Sequence, residues 1–320
     1  MIARPPSIAI DTPLVSVVIA VYNAAEFLEE AIESIRRQTY PNWELICWDD
    51  GSVDGSWEML QSLAAKDQRI QVFRDGTHRG VAGAANMALS KAKGRMIARM
   101  DADDIAYADR LKWQVAYLLE HPLSVAVGGQ CDLIDHAGKI IGTKLFPTDP
   151  KKVKQMIFST IPVQQPTLAV SCDRLGDDFW WYREGATVAI EVELLFRLFQ
   201  RGDVANLKET VLKYRIHDRN ISLRNPRRTF FVTLKGRIKA LFCYGYRPTA
   251  GGVLATVIQM LLVTFMPARW IYPVYTLVQR IRGMRKQQTI DSSGHESEPD
   301  FAPGPKVQPN TGTNGSLLDR

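Results

Sequence analysis

Three carboxylates close a short apolar run in the stretch Met96-Ile97-Ala98-Arg99-Met100-Asp101-Ala102-Asp103-Asp104. Side chains alternate along a strand, so Asp101 and Asp103 leave its tip on the same side and Asp104 follows at the turn. So much negative charge in one place is unfavourable unless a cation sits among the groups. Hard divalent ions such as Mg²⁺ or Mn²⁺ are held by one or two carboxylates together with the oxygens of a substrate diphosphate. The plainer reading is a solvated acidic turn that caps the next helix. A second acidic strand end, Cys47-Trp48-Asp49-Asp50-Gly51-Ser52, argues for chemistry. Two strands of one sheet that both end in aspartates place a polar site at the carboxyl edge of an open α/β sheet, where ligands bind in that architecture.

The elements that position these residues follow from hydrophobic patterning. The run Leu14–Val21 is continuously apolar and rich in β-branched residues, which suits a central strand covered on both faces. Asn23 reads as a helix N-cap with Glu26 three residues on, followed by a helix whose Phe27, Ala31 and Ile35 share a face. Strands at Trp43–Trp48, Arg69–Phe73 and Gly94–Met100 alternate with helices at Ser56–Ala65 and Val81–Lys91. The alternation implies right-handed βαβ crossovers and a Rossmann-like, mostly parallel sheet with helices on both faces. A helix at Tyr107–Glu120 and strands at Ser124–Gln130 and Lys139–Thr143 follow, with a turn from Asp135 to Gly138. Pro147 to Tyr182 is irregular apart from a helix at Pro150–Ser159. Ala189–Gln200 is an amphipathic helix and Val211–Ile216 a short strand.

The chain of 320 residues carries a formal charge of +6, and that charge is segregated. No Asp or Glu occurs between Asp218 and Asp291, whereas Arg and Lys recur from Arg219 to Lys286; the remainder is net acidic. Because these cations flank apolar runs, they fit an anionic membrane surface better than a nucleic acid. Thr229–Tyr244 is an apolar and basic helix. Pro248–Ala268 is uncharged over 21 residues, near the roughly 20 needed to span a bilayer. Gly251-Gly252, Gln259 and Pro267 weaken a span and favour helices lying in the interface, with Trp270, Tyr272 and Tyr275 as anchors. The expected organisation is a tail at 1–12, a catalytic domain at 13–225, membrane-associating C-terminal helices at 226–286 and a disordered tail at 287–320. Four scattered cysteines show no metal spacing, and Met1–Pro6 has no apolar signal core, so the cytosolic side is expected.

The sequences Val17–Asn23, Trp48-Asp49-Asp50-Gly51-Ser52-Val53-Asp54 and Met100–Asp104 together closely resemble family 2 glycosyltransferases of the GT-A fold, over about Pro13 to Ser222. The resemblance implies that Ala20, Tyr22 and Asn23 line the nucleotide pocket and that Asp50 reads the edge of the base. It implies Asp101 near the ribose or diphosphate, and Asp103 with Asp104 as ligands of Mn²⁺ or Mg²⁺. The segment Arg79–Asn86 resembles the family's glycine- and asparagine-containing stretch against the nucleotide, which brings in Asn86. Ala189–Arg197 resembles the segment holding the catalytic base; that base falls on Glu191, with Ile190 where the family has an acid and Glu193 as the alternative. Gln165 stands where a histidine is frequent and is expected to hydrogen-bond only. Tyr214-Arg215-Ile216-His217 with Asn220-Ile221-Ser222 is similar to the family's closing segment, placing His217 near the metal or diphosphate.

The reaction so implied is inverting transfer of a sugar from a nucleoside diphosphate sugar to a hydroxyl of a saccharide or lipid-linked acceptor. The expected setting is the cytoplasmic face of the cell membrane, in polysaccharide or lipopolysaccharide assembly. Two other classes remain open from the residues. One is a metal-dependent nucleotide-sugar hydrolase or nucleotidyltransferase, disfavoured by the lack of a Walker lysine. The other is a nucleotide-sugar-binding module with weak or lost activity, suggested by the Ile190-Glu191 departure.

Overall fold

The computed structural model describes residues 12–217 and 225–266, which lie in one compact unit. Strand β1 (Val15–Val21) is flanked by β2 (Trp43–Asp49) and β4 (Met96–Asp101), with β3 (Ile70–Arg74) outside β2, and all four are parallel. Their register is what builds the site. Val21 lies opposite Asp49 and Ala20 opposite Asp101, so the loops leaving β1, β2 and β4 emerge side by side.

Alternation along β1 feeds two cores. Val17 and Ile19 face one side, where Leu28, Ile32 and Ile35 of α1 (Ala25–Arg36) pack with Leu60 of α2 (Ser56–Lys66) and Leu111 of α4 (Arg110–Glu120). Val18 faces the other, with Ala82 and Ala85 of α3 (Gly80–Leu89), Val153 of α5 (Pro150–Met156) and Leu194 and Leu198 of α6 (Ile190–Arg201). Helices therefore cover both faces.

Beyond β4 the sheet departs from the expected parallel arrangement. Strand β8 (Ala169–Ser171) is antiparallel to β4 and to β6 (Ser124–Ile134). Strand β9 (Asp203–Arg215) runs parallel to β6, and β5 (Ile105–Ala106) and β7 (Ile140–Lys144) pair antiparallel with β9 and β6. The sheet is mixed because β8 inserts antiparallel between β4 and β6, while the tight turn from Asp135 to Gly138 joins β6 and β7 as a hairpin. The strand anticipated at Val211–Ile216 is the end of a 13-residue element. Its first half carries polar Lys208 and Glu209 and so hides its strand character.

Asn23 does not cap α1. Ala24 occupies the cap position, and Asn23 sits in the left-handed region at φ 49°. Its amide donates to Ser52 Oγ at 3.0 Å, and its Oδ1 accepts from Val53 N at 2.9 Å. Ala24 N donates to Ser56 Oγ and Ala25 N to Asp54 Oδ2. The side chains of Ser52, Asp54 and Ser56 thus satisfy the amide groups that open α1 and tie the β1 and β2 loops together.

At the C-terminal end, α7 (Pro226–Cys243) packs on α6 through Gly236, where a Cβ would stand 3.0 Å from Val192 Cγ1. Arg237 Nε donates to Ile157 O at 2.9 Å. Helix α8 (Ala250–Phe265) is anchored by Gln259 Nε2 on Ser159 O at 2.7 Å and by Thr256 on Phe158 O. Its other side leaves Leu254, Ile258, Leu261 and Phe265 exposed. Among the described residues no helix is long and apolar enough to cross a membrane. The expected tails and the anchors Trp270, Tyr272 and Tyr275 lie outside the described residues, as does Asn220-Ile221-Ser222.

Close approach of β6 to its neighbours gives a stability test. A Cβ at Gly128 would lie 2.5 Å from Asn206 Oδ1 and 2.6 Å from Val163 Cγ1, whereas one at Gly142 meets only Leu133 Cδ1 at 3.7 Å. Gly128→Ala is expected to cost about 1–3 kcal/mol in urea unfolding, the scale of overpacking, and Gly142→Ala to leave the midpoint nearly unchanged.

Candidate active site

The edge where β1, β2 and β4 end is lined on one side by Tyr22, Asp50 and His78. Asp50 is buried, and its carboxylate closes the start of α3: Oδ1 accepts from Arg79 N at 2.7 Å and Oδ2 from Gly80 N at 2.8 Å. Oδ2 also lies 2.9 Å from His78 Nδ1. Burial pushes this carboxyl upward, against the amide groups of Arg79 and Gly80 and the neighbouring His78. Asp49, fully buried, meets Arg74 Nε at 3.2 Å and accepts from Ser52 N, so it shapes the turn. Tyr22 is half exposed, and its ring lies 4.3 Å from that of His78. Ala20 brings the β1 backbone beside Asp101.

Asp101, Asp103 and Asp104 converge as expected, with one carboxylate oxygen from each within 4.8 Å of the others. Buried arginines support them. Arg99, inside β4, donates from Nη1 to Val18 O and from Nη2 to Asp101 Oδ1 at 3.2 Å. Arg110 donates to Arg99 O. The Arg215 amide donates to Asp104 Oδ1 at 2.9 Å, its Nε to Asp103 O, and its Nη2 to Glu30 at 2.5 Å. Burial holds Asp104 well above the ordinary carboxylate range, with Asp103 and Asp101 adding repulsion. Loss of water pushes Asp101 up to about 6; Arg99 opposes the shift and Asp103 adds to it.

A divalent cation fits this cluster on structural grounds. Asp104 Oδ2 is buried without a hydrogen-bond partner, a costly condition that a ligating cation relieves. The donors are all hard carboxylate oxygens, the set that Mg²⁺ and Mn²⁺ take. His217 Nε2 lies 2.8 Å from Asp103 Oδ2 and its ring stacks on Phe27, so it steadies Asp103.

The opposite wall comes from the segment that precedes α6. Gln165 Nε2 donates to Tyr182 Oη at 2.7 Å. Asn86, expected against the nucleotide, instead grips the backbone of Tyr182: Nδ2 donates to its carbonyl at 2.8 Å and Oδ1 accepts from its amide at 3.1 Å. Its engaged amide positions the wall. Glu191, in the first turn of α6, is raised by loss of water; Lys144 opposes this and the charge of Asp101 adds to it. Glu193 points away, bound to Lys239 of α7 and to Tyr244 Oη at 2.6 Å. The helical step of two residues separates the two glutamates, as expected.

Several participants escaped sequence reasoning. An arginine amid apolar residues, as at Arg99, is a legible signal, since a buried cation needs an anion nearby. His78 and Tyr182 gave none, because their partners are 28 and 96 residues away.

Residues 16–171 match the family described as Glycosyl transferase family 2. The Escherichia coli protein "UDP-Glc:alpha-D-GlcNAc-diphosphoundecaprenol beta-1,3-glucosyltransferase WfgD" is 39% identical over 137 residues, 43% of this chain and 53% of that protein. The chain spans about half the length of several curated relatives that it matches. Two solved structures share the fold. S. aureus TarS with UDP-GlcNAc has a TM-score of 0.62 at 18% identity, over 80% of this chain and 73% of that one. The mannosyltransferase PcManGT from Pyrobaculum calidifontis with GDP-Man and Mn2+ has 0.53 at 17%, over 85% and 87%. Residues 16–171 are those of a glycosyl transferase family 2 domain, and the fold is GT-A.

The raised carboxyl of Glu191 has a measurable consequence. Its folded-state pKa lies above the ordinary 4.5, so the folded chain binds more protons than the unfolded one just above that pH. Its contribution therefore turns against folding as pH rises through that window. Glu191→Gln is expected to raise the melting temperature at pH 7.5 and to leave it unchanged at pH 4. Equal shifts at both pH values would contradict the assignment.

Proposed function

We propose that the chain transfers a sugar from a nucleoside diphosphate sugar to a hydroxyl of a saccharide or lipid-linked acceptor, with inversion at the anomeric carbon. One observation carries the reading: the carboxyl of Glu191 is buried and feels the charge of Asp101 in the acidic cluster, while Glu193 is tied to Lys239 and Tyr244. Glu191 takes the proton of the acceptor hydroxyl as general base. Its pKa, moved toward neutrality by burial, suits that task. The acceptor oxygen attacks the anomeric carbon as the bond to the diphosphate breaks, and a single displacement inverts the centre. Arg99 and Arg215 hold Asp101 and Asp103 in place during this change. Asp103 with Asp101 and Asp104 would hold a divalent ion, which would supply Lewis-acid neutralisation of the leaving diphosphate.

Relatives support the substrate classes. WfgD is named for a UDP-glucose donor and a diphosphoundecaprenol-linked acceptor, TarS binds UDP-GlcNAc, and PcManGT binds GDP-Man with Mn2+. A lipid-linked acceptor agrees with the exposed apolar side of α8 and with its basic neighbour α7, which carries Arg227, Arg228 and Lys235. We assign this surface to the cytoplasmic face of the cell membrane and the reaction to polysaccharide or lipopolysaccharide assembly.

Three outcomes test the reading. Asp103→Asn should lower turnover by roughly a hundredfold or more, the scale of losing one electrostatic stabiliser, and chelator should abolish transfer by the wild type. Glu191→Gln should cut turnover by about 10²–10⁴-fold, the worth of a general base, while donor affinity by calorimetry stays near that of the wild type. Preserved turnover in Glu191→Gln with loss in Glu193→Gln would move the base by two residues. For the membrane, Leu254→Glu with Leu261→Glu should release the chain from anionic vesicles in a sedimentation assay and leave transfer to a soluble acceptor intact.

A further inference from the structure

The carboxylate expected to read the base is buried beneath a more exposed side chain. Asp50 is only 2% exposed. Its two oxygens accept from Arg79 N and Gly80 N, and Oδ2 also faces His78 Nδ1. The imidazole of His78, by contrast, is 56% exposed and stands beside the half-exposed ring of Tyr22 at 4.3 Å. On the transferase reading above, we propose that His78 is the residue that reads the donor's base, accepting at Nε2 a ring N–H from uracil, thymine or guanine.

The tautomer decides the chemistry. His78 Nδ1 lies 2.9 Å from Asp50 Oδ2 and 3.1 Å from Asp50 O, and a backbone carbonyl can only accept. The ring proton therefore resides on Nδ1, and in the neutral imidazole Nε2 carries a lone pair. Asp50 thus acts through His78: it fixes the ring's orientation and proton, and the ring presents the acceptor. Uracil and thymine carry N3–H and guanine N1–H on the pairing edge, which complement that lone pair. Cytosine and adenine place a lone pair at the same ring position, and two lone pairs repel. Tyr22 flanks the base with an aromatic surface, a contact open to every base and therefore without selectivity. Selectivity then resides in one atom on the loop before α3.

Calorimetric titration of the full chain with UDP, GDP, CDP and ADP in Mn²⁺ at pH 8 tests this. The wild type should bind UDP or GDP at least tenfold more tightly than CDP and ADP. His78→Phe keeps an aromatic ring beside Tyr22, leaves Asp50 its two amide donors, and should erase that preference by weakening the favoured nucleotide about tenfold, the scale of one hydrogen bond. His78→Gln, whose amide can donate to Asp50 and accept from the base, should recover part of it. An unchanged preference in His78→Phe with a wild-type melting curve overturns the inference. So does tighter binding in that variant, which would show the ring to be a cover over Asp50. Wild-type preference for CDP or ADP overturns it too and leaves the transferase reading standing. Absence of binding by every nucleoside diphosphate removes that reading and this inference with it.

Discussion

Like charges held at the end of a strand set the terms for this molecule. At a separation of 4.8 Å two carboxylates repel by roughly 3 kcal/mol at an effective dielectric constant of 20, and three of them meet here. The fold bears this because guanidinium groups are buried against the cluster. Arg99 threads β4 and links Val18 to Asp101, Arg110 sits behind it, and Arg215 brings the end of β9 onto Asp103 and Asp104. These arginines join strands that are far apart in sequence, so the electrostatics of the site and the closure of the mixed sheet are one problem.

The site has two sides, each fixed by a different kind of contact. On one side, register places the ends of β1, β2 and β4 together, and the Ser52, Asp54 and Ser56 side chains lock the β1 and β2 loops through backbone amide groups. On the other, the wall around Tyr182 depends on side-chain bridges from Asn86 and Gln165. Tyr182 is itself buried in the second apolar core, so these bridges add direction to a wall that packing supports. Helix α6 joins the two sides. Its first turn carries Glu191, which feels the charge of Asp101, and Glu193 ties the same helix to α7 through Lys239. The apolar surface of α8 and the cleft are thereby parts of one connected body.

The amino-acid sequence by itself determined the elements whose patterning is local. The uninterrupted apolar run of β1, the shared face of Phe27, Ala31 and Ile35, and the strand ends at Asp49-Asp50 and Asp101–Asp104 were all legible, because burial on both faces and helical period leave direct marks. The motif resemblance assigned Glu191 its place in the site. What only the tertiary structure decided involves partners distant in the chain. The sheet turns mixed because β8 comes back antiparallel beside β4; Asn23 leaves the cap position because Ser52 and Val53, 29 and 30 residues on, take up its polar groups. Asn86 is drawn to Tyr182, 96 residues away, and Asp50 is enclosed by its own contacts with Arg79, Gly80 and His78. Hydrogen bonds of that kind follow from how elements pack, and no periodicity in the chain encodes them.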